Sequence, residues 1–274
     1  MQKIIKNIIL AAVFCGSSIC TAWQVKPHVM PESFAVQHKP EKKEETKIGV
    51  LKILGEISIE SGEKYTERLY DFAHDNAIKA ILLIIDSGGG AAGIGDLVFR
   101  EVKALSSIKP VVVLVAGWCC SAAYHIALGG NWIIMPASAT VGSIGVYHMV
   151  EKHTNSKYTG KTYSADVEFD VVYAGKYKVA THPDALPLDE EGRALLQESV
   201  NRLYKNFITV VAQERNLSID NAPEWAEGRH FDGARAVENK LVDQVGGFSD
   251  ALEKVRELIT TRGGSASGKF VFVY

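Results

Sequence analysis

The chain turns on Pro110-Val-Val-Val-Leu-Val-Ala-Gly-Trp-Cys-Cys-Ser-Ala-Ala-Tyr-His-Ile-Ala127. Val111–Val115 is an unbroken β-branched and aliphatic run, the pattern of a strand buried on both faces of a parallel sheet. Gly117 breaks the run. From Ser121 onward, Ala122, Ala123, Ile126 and Ala127 suit a tightly packed helix. A hydroxyl therefore sits where a buried strand turns into a helix. The Ala122 amide would point out of that helix start, toward any developing anion. The competing reading of Ser121 is a simple N-cap, a position that favours serine. The stretch alone leaves both open.

Outward from this centre, strands and helices alternate. Ile48–Leu54 reads as a first strand, and Lys64–Asp75 as an amphipathic helix with Tyr65, Leu69 and Phe72 on one face. Ala80–Ile85 is a second buried strand, ending in Asp86-Ser87-Gly88-Gly89-Gly90. Ile94, Val98, Val102 and Leu105 mark the next helix, and Trp132–Met135 a short strand. Asp189 is expected to cap a long helix, Glu190–Arg215, with an apolar stripe of Leu196, Val200, Leu203, Phe207 and Val211. Val237–Val245 reads as a last strand region and Ser249–Ile259 as a last helix. The alternation predicts an α/β fold with a mainly parallel sheet and right-handed crossovers. Ligands bind at the C-terminal ends of such strands. Both the glycine run and Ser121 fall there.

Of 274 residues, 47% are hydrophobic and 23% charged, and the net charge of −2 gives no sign of a nucleic-acid partner. Lys3 and Lys6 precede an apolar core, Ile8–Phe14, and Cys20-Thr21-Ala22 is a fair cleavage site. Residues 1–22 are therefore expected to direct export, by cleavage or, alternatively, as a retained membrane anchor. Residues 23–47, with three prolines and a Lys/Glu run, read as a linker. The folded domain is expected over 48–260, with 261–274 as a flexible tail whose apolar end, Phe270–Tyr274, could add a strand to a sheet edge. After cleavage only Cys119 and Cys120 would remain, expected as buried thiols. No CxxC or His-rich segment accompanies them, so no metal or cofactor is expected.

Three features stand beside Ser121. In Ser87-Gly88-Gly89-Gly90, uncovered glycine amides could point at a ligand; with the Ala122 amide, one of them would make a two-donor oxyanion hole. Val141-Gly-Ser143-Ile-Gly-Val brackets a serine between glycines. Ala174-Gly-Lys176-Tyr-Lys178 presents a lysine after an apolar segment, where burial would disfavour its charged form and leave an amine able to accept a proton. His125, four residues after Ser121, is the rival base for a triad, but no Gly-x-Ser-x-Gly elbow surrounds Ser121.

Taken in order, these segments resemble the signal peptide peptidase A family of serine proteases, the S49 type, within the ClpP/crotonase superfamily. The family's Ser-Pro-Gly-Gly loop stands here as Ser87–Gly90, and its Ala-Ser-Gly-Gly-Tyr turn as Cys120–Tyr124. Its Thr-Gly-Ser-Ile-Gly-Val loop is Val141–Val146, and its Gly-x-x-Lys base motif is Gly175–Lys178. A later stretch, Gly-Arg through Gly-Leu-Val-Asp, is Gly228-Arg229 to Lys240-Leu241-Val242-Asp243. The resemblance implies a Ser/Lys dyad: Ser121 as nucleophile, Lys178 as general base and Ser143 holding the amine. Gly89 or Gly90, with Ala122, would supply the oxyanion amides. It implies peptide substrates with apolar extended segments, such as cleaved signal peptides, at or near a membrane, and assembly into a homo-oligomeric ring. Gly88 departs from the family proline, Ala122-Ala123 from Gly-Gly, and Val141 from threonine. Lys240 stands where glycine commonly ends a helix, so Asn239 is expected to take the left-handed position. The rival readings are a phage prohead protease, an acyl-CoA enzyme of the crotonase type and a catalytically silent peptide-binding scaffold.

Overall fold

The run Val111–Val115 is fully buried at the centre of a parallel sheet, as its composition demands. The computed structural model describes residues 45–158, 163–175 and 190–274. The strands are β1 (Glu45–Ile57), β2 (Ile78–Gly90), β3 (Val111–Cys120), β4 (Trp132–Met135), β5 (Thr140–Gly142), β6 (Val146–Tyr158), β7 (Tyr163–Ala174), β8 (His230–Phe231), β9 (Gln244–Val245) and β10 (Lys269–Val273). The helices are α1 (Ile59–His74), α2 (Ala92–Ile108), α3 (Ala122–Ala127), α4 (Glu190–Arg215), α5 (Ala222–Trp225), α6 (Gly233–Glu238) and α7 (Phe248–Thr261).

The main sheet runs β10-β1-β2-β3-β4-β9, with every neighbour parallel. Short β5 continues from the end of β3, and β8 pairs antiparallel with β5. Successive side chains of a strand face opposite ways, and two cores result. Ile53, Leu83 and Val113 pack with Leu69 of α1, Val102 of α2 and Val211 of α4. Val50, Leu82 and Val112 pack with Ala251, Val255 and Ile259 of α7. This is the α/β, mainly parallel architecture expected from the alternation of elements. Among the described residues, no helix is long and apolar enough to cross a membrane. The expected export segment, the linker up to residue 44 and the Asp189 cap lie outside the described residues.

Several local expectations are corrected. The linker does not extend to Lys47: β1 starts at Glu45, because Glu45–Gly49 pair with Lys269–Val273. The same pairing makes the apolar end of the tail an edge strand, as the sequence allowed, over Lys269–Val273 rather than Phe270–Tyr274. The earlier start of β1 is not visible locally, since its partners in β10 lie more than 200 residues away. Val237–Val245 is mostly not strand: α6 runs to Glu238 and only Gln244–Val245 pair. Lys240, not Asn239, takes the left-handed position, with φ 58°. There the Leu241 N–H reaches back to the Ala236 carbonyl (2.8 Å), and the Lys240 carbonyl accepts from Arg215 Nε (2.6 Å). Leu203 of the predicted α4 stripe is exposed. The antiparallel β6–β7 hairpin was not foreseen as a unit; Val172 and Ala174 at its base pack on Val200 of α4.

Candidate active site

Ser121 is the single residue between β3 and α3. Its backbone has φ 54° and ψ −124°, and its side chain makes no capping hydrogen bond. An N-cap serine has extended backbone and accepts from an amide two or three residues on. Ser121 has neither feature, so the N-cap reading fails. A non-glycine residue there carries strain on the order of 1–3 kcal/mol and persists only where its surroundings over-determine it. The surroundings do so. The Ser121 N–H donates to the Gly142 carbonyl (2.8 Å), and the Ser121 carbonyl accepts from the His125 N–H (2.9 Å). Ala122 and Ala123 are buried, and the buried Tyr124 hydroxyl donates to the Leu241 carbonyl (2.8 Å), fixing α3 from below. The sharp strand-to-helix turn places Ser121 at the C-terminal end of a sheet strand, without the glycines of a Gly-x-Ser-x-Gly elbow. Here small residues permit it: a Cβ on Gly95 of α2 would come 2.9 Å from Ala122 Cβ.

The glycine run borders this turn through one residue. Gly89 has φ 111°, and a Cβ on it would lie 2.7 Å from Ser121 Cβ, 2.8 Å from the Cys120 carbonyl oxygen and 3.1 Å from Ala122 N. Gly90 is turned the other way, against the Ile57 backbone. Of the two candidate oxyanion glycines, Gly89 is thus the one beside Ser121. Its N–H donates to the buried Ser87 hydroxyl at 3.1 Å.

The Val141–Val146 loop meets Ser121 from the other side. Gly142 accepts from Ser121, and the next residue, Ser143, is buried with φ 50°; its N–H donates to the Arg229 carbonyl at 2.7 Å. Lys178 lies outside the described residues. The chain leading to it ends its described part at Gly175, whose Cβ position is 3.3 Å from Gly145 Cα and from Gly228 N. The structure therefore gathers Ser121, Ala122, Gly89 and Ser143, and brings the start of the lysine segment to the Ser143 loop.

The model of peptidase family S49 matches residues 103–262. The chain belongs to this family. The Clp protease model matches residues 36–141. A candidate protease of Methanocaldococcus jannaschii is 34% identical over 194 residues, 71% of this chain and 60% of that protein. Protease 4 of Haemophilus influenzae is 30% identical over 74% of this chain and 32% of its own length. The capsid assembly protease C of phage lambda is 28% identical over 73% of this chain and 44% of its own length. The chain thus spans less than two thirds of the length of each of these relatives. Among solved structures, the membrane-bound stomatin-specific protease 1510-N (a mutant) superposes with TM-score 0.53 at 16% identity, covering 84% of this chain and 99% of that one. A ClpP1 mutant of Listeria monocytogenes gives 0.51 at 16% identity, covering 74% and 94%. These two likenesses show the ClpP/crotonase-like fold.

Within this S49 chain, the stretch ending in Asp243 has a structural part. Asp243 accepts from the Ile133 N–H (2.7 Å) and pairs with Arg215 at the end of α4 (2.9 Å), tying β4 to that helix. His125 is stacked on Phe207 (centroids 5.0 Å) and near Phe99 (4.9 Å), and its Nε2 faces Asp96 at 3.8 Å. Burial lowers its pKa to about 4, against the opposing pull of Asp96. It is an aromatic, neutral part of the core between α2 and α4. Cys119 faces the core and burial pushes its thiol up, whereas Cys120 Sγ lies by the Thr140 carbonyl (3.9 Å); neither is in a disulfide. Successive strand residues face apart, so the two sulfurs do not converge on a metal. Trp118, 52% exposed, stands edge-on to His230 at 5.8 Å.

Proposed function

We propose that this S49 chain is a serine endopeptidase with Ser121 as nucleophile and Lys178 as general base. The observation that supports it most is the strained Ser121 turn, with Gly89 packed against its Cβ and the Ser143 loop bonded to its amide. Ser121 Oγ attacks the scissile carbonyl while the neutral Lys178 amine takes its proton, and Ser143 orients that amine. The tetrahedral oxyanion is held by the Ala122 N–H and by a glycine-loop amide, Gly89 being the nearer. For Gly89 to serve, the Ser87 hydroxyl that its amide now meets must give way. Collapse expels the amine, which recovers the proton from Lys178, and water repeats the sequence on the acyl-enzyme.

The substrates on this reading are apolar extended segments, including cleaved signal peptides, handled after export at or near a membrane and inside a homo-oligomeric ring. The test is digestion of casein or an apolar peptide by the chain, with Ser121→Ala beside it; equal digestion by both overturns the reading. The similarity to the phage lambda protease favours a second reading, a prohead-type maturation protease. A reporter fused after residue 30 separates them: export supports the first, cytoplasmic retention the second.

A further inference from the structure

The strands carrying the glycine loop and Ser121 lose register just before the site. β2 and β3 pair residue for residue from Ile81 with Val111 to Ile85 with Val115, then resume at Ser87 with Cys119. One residue of β2, Asp86, thus stands opposite three of β3: Ala116, Gly117 and Trp118. Bulges of this kind re-aim the chain that follows them and are common beside active sites. Across the gap, the Trp118 N–H donates to Asp86 Oδ1 at 2.9 Å. Gly117 presses on the same carboxylate, because a Cβ there would come 2.7 Å from Oδ1. A side chain therefore stands in for a ladder carbonyl, and the glycine makes room for it. Immediately beyond, Ser87 pairs with Cys119 and Gly89 arrives at Ser121.

We propose that Asp86 is a positioning residue: its carboxylate closes the bulge in β3 and so sets the register of the Ser87–Gly89 segment against Ser121. The catalytic consequence rests on the serine-nucleophile reading above; the register itself rests on the geometry alone. Asp86 is exposed, so its removal returns the Trp118 amide to water rather than stranding it in the core. The fold should survive, and the alignment of nucleophile and glycine loop should loosen. Misplacement by about 1 Å costs on the order of 100-fold in rate.

The test compares the wild-type chain with Asp86→Ala, Asp86→Asn and Gly117→Ala. It measures peptide hydrolysis, Ser121 labelling by a fluorophosphonate, and amide exchange at Trp118–Ser121 and Gly88–Gly90. Asp86→Ala should lose roughly 10- to 100-fold in kcat with little change in KM, and both segments should exchange faster. Asp86→Asn, which keeps Oδ1, should restore both. Gly117→Ala should mimic Asp86→Ala, and the double variant should be no worse than either, since both break one contact. Wild-type kcat and exchange in Asp86→Ala overturn the proposal, as does an Asn variant no better than the Ala one. If the wild type neither cleaves peptides nor labels at Ser121, the peptidase reading falls and exchange alone decides. Faster exchange in Asp86→Ala, reversed in Asp86→Asn, then supports the register role, and unchanged exchange refutes it.

Discussion

Gly89→Ala tests the site where its geometry is tightest. An L-residue at φ 111° is strained on the order of 1–3 kcal/mol before any contact is considered. The new Cβ would lie 2.7 Å from Ser121 Cβ and 2.8 Å from the Cys120 carbonyl oxygen. Comfortable carbon contacts begin near 3.5 Å, so one side must retreat by roughly 0.8 Å. None of the neighbours is the tip of a flexible side chain: the atoms that must move belong to the Ser121 turn itself. The variant should lose about 2–4 kcal/mol of stability, roughly 5–15 °C in Tm for a chain of this size. Peptide hydrolysis should fall on the order of 100-fold or more. Gly88→Ala is the internal control, because a Cβ there meets nothing within 4 Å and its φ is not in the positive region. It should stay within about 0.5 kcal/mol of wild type. Thermal unfolding and a fluorogenic apolar peptide read both effects. A Gly89→Ala enzyme that melts and turns over like wild type refutes the packing argument, and so does a Gly88→Ala enzyme equally damaged.

Ser121→Ala should abolish proteolysis and shift Tm by about 1 kcal/mol's worth or less; Ser121→Gly should be equally dead but about 1 kcal/mol more stable than Ser121→Ala in a melt, because glycine accepts the positive φ. Lys178→Arg should be inactive, as a guanidinium cannot take the proton, and the wild-type rate should rise with pH to a plateau as the amine deprotonates; an active Lys178→Arg enzyme overturns the dyad. His125 is held neutral, with its pKa at about 4 against the ordinary 6.5, so between those values the unfolded chain binds more protons than the folded one. Above pH 6.5 the ring is neutral in both states and does not affect stability; as pH falls toward 4 the fold loses up to about 3 kcal/mol, because the unfolded chain takes up the proton that the buried ring refuses. His125→Phe should flatten that loss in urea titrations across pH 4–7, and an unchanged slope speaks against the burial argument.

The sequence patterns located what depends on neighbours along the chain. Val111–Val115 betrayed a central parallel strand by composition, and the order of Ser87–Gly90, Ser121, Ser143 and the Gly-Leu-Val-Asp-like stretch carried the fold and the family. What escaped depends on partners distant in sequence. The apolar end of the tail was legible as a strand for a sheet edge, but that β1 starts early, at Glu45, follows only from its pairing with Lys269–Val273. Lys240 tolerates a left-handed backbone because Arg215 bonds its carbonyl. No local rule prefers lysine there over Asn239. Asp86 was legible only as the residue before a glycine run; that its carboxylate replaces a missing rung follows from a register shift that no window of sequence displays.

The two serines singled out by motif are also two of the non-glycine residues with positive φ, at 54° and 50°. Each could in principle relax at a gain of about 1 kcal/mol or more. Each is held instead by one backbone bond from its own N–H, Ser121 to Gly142 and Ser143 to Arg229. The bonds form a chain, from the end of β3 through the Gly142–Ser143 loop to the segment entering β8. The residue that follows Ser121 is buried on α2, and the residue that precedes it is buried beside β5. Asn216, Glu227 and Lys240 also have positive φ, so strain alone marks no site; what sets Ser121 and Ser143 apart is the chain of backbone bonds that joins their two loops. On the serine-nucleophile reading proposed above, that chain would serve preorganisation by fixing the backbone that carries each hydroxyl. On the same reading, the family's two glycines after the serine can be alanines here. Their task at Ala122 and Ala123 is small size under α2, not backbone freedom, because the positive φ falls on Ser121 itself.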